Sequence, residues 1–325
     1  MKKYLILLLV AFLMVIVSVS LVQAKTVIRL ASSFEPGHIL VQNAEKFKEL
    51  VEASGQDIEV QLFPGGSMGS EEELYEQVAI GAIEMQAGGI ISVQMFAPEY
   101  YFIDVPYVMK DFDHFMNIWN GELGSTIREI IRTKGGQETL AIIYKGMRQM
   151  TANKPIMNTK DLTGLKLRLP QIPSWVAVWK GLGAKPVPIA LPELFTSLQT
   201  GVADASEGEP SQILSFKLYE VQDYLILTNH KMEVGDLTIN VKFLESLTPA
   251  QQQVIRDSAI QSSEWATKKN MAEEEGLIKL LGEKGMKIIV ADAEEFKVKA
   301  KPIVEELFKS NWPNITWEEV LTYAK

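Results

Sequence analysis

Cysteine is absent from this chain of 325 residues, and histidine is scarce. Without cysteine the chain has no disulfide bond, no thiolate metal site, no cysteine nucleophile and no acylated cysteine to anchor a lipoprotein. The three histidines are His38, His114 and His230, and none has the His-Glu-x-x-His spacing of a zinc site. An enzyme is therefore the less favoured class, and we expect neither a cofactor nor a metal site.

Apolar runs of membrane-spanning length are lacking after the amino-terminal segment. That segment has lysines at positions 2 and 3, an uninterrupted apolar stretch over residues 5–17, and Val-Gln-Ala ending at Ala24. The pattern predicts a signal peptide, residues 1–24, that is cleaved after Ala24. An uncleaved anchor helix is the alternative, although about 20 apolar residues are needed to span a bilayer. We therefore expect a periplasmic protein that is not a lipoprotein.

Basic residues are in the minority, with 32 Lys and Arg against 41 Asp and Glu and a formal net charge of −9. Nucleic-acid binding depends on clustered Lys and Arg, so we expect no nucleic-acid partner. A small anion bound by so acidic a protein must meet a local cluster of positive charge, which draws attention to individual arginines. The 47% hydrophobic content is sufficient for the cores of one large domain or two ordinary ones.

The first part of the chain alternates strand and helix patterns. Strands are predicted at Thr26–Ala31, Ile58–Leu62 and Ile83–Ala87, and helices at Val41–Val51 and Ser70–Ile80. Ser70 and Glu73 form a capping box, and Gly81 is placed to end the second helix. A β-α-β-α-β order predicts a parallel sheet covered by helices.

A second series of strands and helices follows. Strands are predicted at Thr139–Tyr144, Gly164–Leu169 and Pro186–Ile189, with helices at Ser174–Gly181 and from Pro192 to before Gly201. The residues Ala205–Pro210 are predicted to form a polar loop. Thr248 and Gln251 form another capping box, and no proline follows Pro249 before Glu283. This stretch is predicted to be one long helix or a helix broken near Gly276.

One continuous stretch, Gly164 to His230, carries a family resemblance. It contains the segments Gly-Leu-Lys-Leu-Arg-Leu-Pro, Leu-Gly-Ala-Lys-Pro-Val-Pro, Pro-Glu-Leu-Phe-Thr-Ser-Leu-Gln-Thr-Gly-Val-Ala-Asp, Leu-Tyr-Glu-Val-Gln-Asp-Tyr and Thr-Asn-His. Their order and spacing resemble the solute-binding proteins of TRAP transporters, the DctP-type family. The resemblance implies capture of an organic acid outside the inner membrane and its delivery to the membrane permease subunits. A sensory protein that presents a carboxylate to a receptor is the alternative, since the same fold serves both.

The resemblance also implies a fold class and a division of the chain. The fold is α/β of the type II periplasmic-binding-protein kind, with two α/β domains around a ligand cleft and a long helix that spans both. Domain I comprises residues 25–145 plus 234–273, and domain II comprises residues 146–233 plus 274–325. The protein is expected to be a monomer.

Arg168 is the first candidate for a ligand-binding residue. It follows two leucines in a short predicted strand and precedes Pro170. The planar guanidinium matches a carboxylate with two parallel hydrogen bonds and stays charged at every relevant pH. A salt bridge within its own domain is the alternative interpretation. The resemblance implies that Arg168 binds the carboxylate of the solute.

Three further polar residues are candidates through the same resemblance. Arg148 is placed where some family members have a second ligand-facing arginine. Gln171 follows Arg168 at a predicted strand-to-helix turn, where relatives often direct an amide toward the solute. Glu207 matches the family motif, and it is expected either to hold one of the two arginines in place or to accept a hydrogen bond from the solute.

The remaining candidates line the predicted walls of the cleft. Phe34 lies in the first strand-to-helix loop, and Gly89 lies in a small, apolar segment on the opposite wall. Leu191 and Gly208 stand where relatives often have a phenylalanine and an asparagine that contact the solute. These differences argue against sialic acid and favour a less hydroxylated acid. Two arginines favour a dicarboxylate or a polar acid, whereas the apolar wall favours a hydrophobic tail, and the sequence leaves both open.

Overall fold

A single mixed sheet of nine strands runs through the computed structural model, which describes residues 25–324. The predicted signal peptide lies outside the described residues. The strands are β1 Thr26–Ala31, β2 Ile58–Phe63, β3 Met85–Gly89, β4 Gln137–Ala152, β5 Lys166–Leu169, β6 Lys185–Pro188, β7 Ala205–Gly208, β8 Tyr224–Asn240 and β9 Lys287–Val290. Their order across the sheet is β2-β1-β3-β8-β4-β7-β5-β6, and β9 pairs with β8.

Twelve α-helices of the described residues pack on this sheet, together with short 3-10 turns that include Pro98–Asp104 and Leu191–Glu193. The helices are α1 Ile39–Ala53, α2 Glu71–Ile80, α3 Ile91–Phe96, α4 Phe112–Trp119, α5 Glu122–Gly135, α6 Pro173–Gly181, α7 Leu194–Gln199, α8 Pro210–Ser215, α9 Val241–Ser246, α10 Pro249–Glu283, α11 Ala293–Asn311 and α12 Trp317–Leu321.

The first β-α-β-α-β unit agrees with the sequence-based prediction. β1 pairs in parallel with both β2 and β3. The helix α2 begins with the predicted capping box, in which the side chains of Ser70 and Glu73 each accept a hydrogen bond from the other's backbone N–H. It ends at Gly81, whose φ of 77° lies in the left-handed region that glycine adopts readily. β3 starts at Met85 rather than Ile83, and α1 is longer than predicted by two residues at each end.

Two long antiparallel strands, β4 of 16 residues and β8 of 17 residues, form the centre of the sheet. Their pairing extends from Gln137↔Asn240 to Ala152↔Tyr224 and is interrupted by three irregularities in register. The sequence predicted only Thr139–Tyr144 from this pair. Buried polar residues such as Glu233 and Asp236 replace the expected apolar residues along β8, which hid the strand pattern.

The predicted polar loop at Ala205–Pro210 was wrong. Ala205–Gly208 forms the strand β7, which is buried throughout and pairs antiparallel with β4. Pro210 then starts α8, where its fixed φ suits the first helical turn. The error arose because Ser206 and Glu207 are polar but fully buried, and Glu207 has charged partners within the protein.

The helix α10 has 35 residues and continues unbroken through Gly276. Thr248 and Gln251 form the predicted capping box at its start. The helix contacts α1, β4 and α8, so it crosses both halves of the sheet, as the resemblance implied. Among the helices of residues 25–324, not one combines the length and the apolar composition that crossing a bilayer demands.

The two large apolar clusters follow the faces of the sheet. One contains Phe115 and Ile127 together with Trp179 and Phe308, and the other combines residues of α1 with residues of α7. Each cluster therefore includes residues from both predicted domains, because β4 and β8 continue from one half of the sheet into the other. The predicted domain boundaries stay a prediction.

Candidate ligand-binding site

A small cavity lies beside the carboxyl ends of β3 and β5, near the middle of β4 and the start of α8. Its volume is about 40 Å³, which is room for a few water molecules. The lining residues are Phe34, Glu71, Gly89, Ile90, Ile91, Asp104, Lys145, Arg148, Arg168, Pro170, Ile172, Trp175, Leu191, Gln212 and Glu233. Charged side chains of both signs and apolar side chains thus meet in one narrow space.

Eight residues were predicted from the sequence to bind the ligand, and the structure brings five of them to this cavity. These five are Phe34, Gly89, Arg148, Arg168 and Leu191. Gln171 is exposed and does not line the cavity, and Glu207 and Gly208 are buried in β7 behind it. The three remaining residues therefore have no direct contact with the cavity in this conformation.

Arg168 is the most isolated charge of the cavity. It is 1% exposed, its Nε donates to the backbone oxygen of Ile189 at 3.0 Å, and its Nη2 has no hydrogen-bond partner within residues 25–324. Burial, together with repulsion from Arg148, lowers the pKa of Arg168 to about 10, although Glu207 opposes the shift. A buried guanidinium with an unused N–H group is the arrangement that an incoming carboxylate satisfies.

Arg148, in contrast, is fully engaged with carboxylates of the protein. Its Nη2 donates to Glu207 Oε1 at 2.8 Å, and its Nη1 donates to Glu209 Oε2 at 3.0 Å and to Glu233 Oε2 at 2.9 Å. Its guanidinium also lies 5.0 Å from the ring centroid of Trp175. Burial alone would lower the pKa of Arg148, but the three carboxylates outweigh it and raise the pKa above its usual value.

We use the name charge network for the buried ionisable groups around Arg148. Its members are Arg148, Glu207, Glu209, Glu233, Lys145, Lys231, Asp104, His38 and His230. Burial raises the pKa of Glu207, but Arg148 and His230 outweigh this effect and lower it to about 2. Glu207 therefore holds Arg148 in place, which is one of the two roles proposed for it from the sequence.

The sequence did not single out Glu71, which lines the cavity opposite the arginines. Its side chain accepts a hydrogen bond from the backbone N–H of Gly89. Burial raises the pKa of Glu71 to about 7, with Lys145 opposing the shift. Glu71 is one of three glutamates in the first turn of α2. Their favourable interaction with the helix dipole was enough to explain its presence from the sequence alone. The wall around Gly89 is consequently less apolar than expected.

Trp175 and Gln212, which are outside the eight predicted residues, also line the cavity. Trp175 and Trp179 lie four residues apart on α6, and both are buried. The Trp175 ring also faces the cations of Arg148 and Lys231, and its Nε1 donates to the Asp104 backbone oxygen at 2.7 Å. Gln212 belongs to α8, a helix that the sequence did not predict.

The turn between β2 and α2 contains the spacing Gly-x-Ser-x-Gly from Gly65 to Gly69. In hydrolases this pattern places a serine on a strained turn beside a histidine base. Ser67 is exposed, its φ is not positive, and the histidine ring nitrogens of the described residues bond to other groups. The pattern is therefore without a catalytic partner in residues 25–324.

Residues 30–311 match the DctP family, described as bacterial extracellular solute-binding protein, family 7. The chain belongs to this family. A solute-binding protein of Roseobacter denitrificans is 34% identical over 281 residues, which are 82% of this chain and 85% of the relative. The sequence-based resemblance to TRAP solute-binding proteins is confirmed.

Solved structures of this family confirm the predicted fold class. A TRAP periplasmic solute binding protein from Roseobacter denitrificans, with bound L-galactonate, is 31% identical with a TM-score of 0.81 and covers 88% of this chain and 97% of its own. The sugar acid binding protein of Advenella mimigardefordensis, in complex with galactonate, is 27% identical with a TM-score of 0.86 and covers 92% and 98%. These relatives are ligand-binding transporter components rather than enzymes.

Proposed function

We propose that this DctP-family protein captures a hydroxylated organic acid in the described cavity and delivers it to the membrane permease subunits of a TRAP transporter. The observation that supports the proposal most is Arg168, which is buried with Nη2 unpartnered and with no carboxylate within 4.0 Å in residues 25–324. Its natural counterion is the carboxylate of the solute, which would form the short, charge-assisted hydrogen bonds typical of such pairs.

The cavity favours a single carboxylate over a dicarboxylate. Arg148 already meets three carboxylates, so it offers no second free cation. Burial raises the pKa of Glu71 on the opposite wall to about 7, so near neutral pH this carboxyl group is only partly ionised. In either form it is a poor partner for a second carboxylate and a suitable partner for hydroxyl groups. Relatives that bind galactonate are consistent with this choice. The proposal therefore replaces the hydrophobic tail considered from the sequence with a polar one.

Binding requires the walls of the cavity to separate and close again. A volume of about 40 Å³ is too small for a sugar acid, so the cavity must widen to admit one. Closure removes water from the ion pair, and an ion pair between Arg168 and a carboxylate strengthens as the local dielectric constant falls. We further propose that the closed form is the one recognised by the permease, and that the protein acts in the periplasm as a monomer after cleavage at Ala24.

A titration with Arg168→Met tests the central assignment. The protein is purified after export and screened by thermal shift against sugar acids, with their neutral lactones and alcohols as controls. We expect Arg168→Met to weaken binding of the best acid by about 2–5 kcal/mol, on the order of 30- to several-thousand-fold. Gln253→Ala, an exposed substitution on α10 outside the cavity, is the control and should bind as the wild type does. Unchanged affinity of Arg168→Met would exclude carboxylate capture at this site.

A further inference from the structure

Gln212 is a buried amide that faces the cavity without a partner. Its side chain is 2% exposed, and its Nε2 makes no hydrogen bond within residues 25–324. Leaving a buried donor unpaired is unfavourable, and native proteins seldom do so without a functional reason. The amide is therefore placed to bond to something that enters the cavity.

Gly208 makes the position of this amide possible. A Cβ atom built on Gly208 would lie 2.6 Å from Gln212 Nε2 and 2.9 Å from its Cδ, which is closer than packed atoms approach. The φ of Gly208 is not positive, so the backbone does not itself demand glycine here. The glycine is needed for the space above its Cα, and that space holds the Gln212 amide.

The Gln212 amide and Arg168 lie on one cavity of about 40 Å³. Both present an unpartnered N–H donor, at Gln212 Nε2 and Arg168 Nη2. Because both donors line one cavity, the two groups that they bind belong to one solute. If Arg168 takes the carboxylate, we infer that the group at Gln212 is a substituent near that carboxylate. A hydroxyl group fits an amide best, since it both accepts and donates a hydrogen bond.

We propose that Gln212 determines the specificity of this protein by binding the hydroxyl group next to the solute carboxylate, and that Gly208 is present to make room for it. This inference rests on the proposed capture of a carboxylate by Arg168. Relatives often have a solute-binding asparagine at the position of Gly208. In this protein the inference assigns the solute-binding amide to Gln212 of α8 instead.

The test compares 2-hydroxy acids with their 2-deoxy counterparts by isothermal titration calorimetry. The probes are gluconate, galactonate and lactate, paired with 2-deoxygluconate, 2-deoxygalactonate and propionate. We expect the wild type to prefer the best-bound hydroxy acid, and Gln212→Leu to lower its affinity by about tenfold. The same variant should leave the affinity for the 2-deoxy counterpart within about threefold, since that probe has no group for the amide. The ratio of the two affinities is the readout, because a general packing defect does not change it.

Gly208→Ala provides a second, independent variant. Its Cβ displaces the Gln212 amide, so the preference for the hydroxy acid should fall although Gln212 is still present. Gln253→Ala, an exposed substitution on α10, is the control that should keep the wild-type ratio. Equal losses for both probes, or an unchanged ratio in Gln212→Leu, would overturn the role of Gln212. If the role of Gln212 is overturned but Arg168→Met binds neither probe, carboxylate capture by Arg168 is still supported. If no acid binds the wild type, both proposals are overturned.

Discussion

The charge network and the cavity both contain buried arginine and glutamate side chains. These side chains are paired with each other in the charge network, whereas Arg168 and Glu71 of the cavity are not paired with a charged side chain within residues 25–324. In the charge network, Arg148 bonds to three carboxylates and the pKa of Glu207 is lowered to about 2. In the cavity, Arg168 bonds only to a backbone oxygen, and burial raises the pKa of Glu71 to about 7. Both regions are buried, so the difference lies in pairing and not in exposure.

This difference separates the groups that stabilise the fold from those that await a ligand. Paired buried charges stabilise the positions of their neighbours, and removing one partner leaves the other uncompensated. Unpaired buried charges destabilise the free protein, and proteins retain such groups at sites of function. Arg148 on β4 and Arg168 on β5 therefore have opposite effects on the stability of the ligand-free protein.

Removing Arg148 should give the largest effect. Arg148→Met leaves Glu207, Glu209 and Glu233 buried without their shared cation, so the free energy of unfolding should fall by about 3–5 kcal/mol. Urea denaturation of the ligand-free protein measures this loss. A decrease below about 1 kcal/mol would show that the charge network does not depend on Arg148, since that is the range of an exposed pair.

Glu71 should make stability fall as the pH rises. Its folded pKa of about 7 lies above the usual value of 4.5, so the neutral form is favoured by folding. The contribution of Glu71 to the free energy of unfolding, about 3 kcal/mol, is fully present below pH 4.5 and is lost as the pH rises through 7. Glu71→Gln should remove this decline between pH 5 and about 8.5, measured as the difference in unfolding free energy from the wild type.

Glu207→Gln is the control for that measurement. The pKa of Glu207 is lowered, so its contribution is present above pH 4.5 and is lost only as the pH falls toward 2. The difference in unfolding free energy between Glu207→Gln and the wild type should therefore be constant over the pH range in which the difference for Glu71→Gln varies. A parallel pH dependence for the wild type and Glu71→Gln would contradict the assignment of a neutral Glu71.

Arg168→Met should give the smallest effect on stability, with the opposite sign to that of Arg148→Met. The pKa of Arg168 is lowered from 12.5 to about 10, so its charged form is destabilised by folding at every pH below that value. Methionine keeps part of the side-chain volume without the charge, and we expect stabilisation of the ligand-free protein by about 1–3 kcal/mol. Thermal and urea unfolding without ligand measure it. Destabilisation comparable to that of Arg148→Met would mean that the two arginines have the same structural role.

Local signals were sufficient for much of the fold but not for its centre. The capping boxes at Ser70 and Thr248 and the strand Thr26–Ala31 depend on neighbouring residues, and their predictions were confirmed. The strands β7 and β8 are stabilised by ion pairs between distant segments, so their polar residues resembled loops. The sequence analysis predicted neither the strand β9 nor the helices α3, α4, α5, α8, α9, α11 and α12.

The sequence predicted some of the residues that line the cavity and not others. Arg168 and Leu191 were found through a family motif, and both reach the cavity. Glu71 and Gln212 were missed because their roles depend on backbone neighbours, Gly89 and Gly208, that are remote or unremarkable in the sequence. The opposite pairing of Arg148 and Arg168 was also beyond the sequence, since the partners of Arg148 come from β7, β8 and the residue before α8.

The central position of β8 sets the order in which the chain can fold during synthesis. β8 lies between β3 and β4, and it ends at Asn240. Until that residue has left the ribosome, β3 and β4 have no strand to join them, and the middle of the sheet stays unformed. Pairing between such distant segments is also slow. Late completion of the sheet therefore favours an unfolded nascent chain, the form suited to the export that its amino-terminal segment predicts.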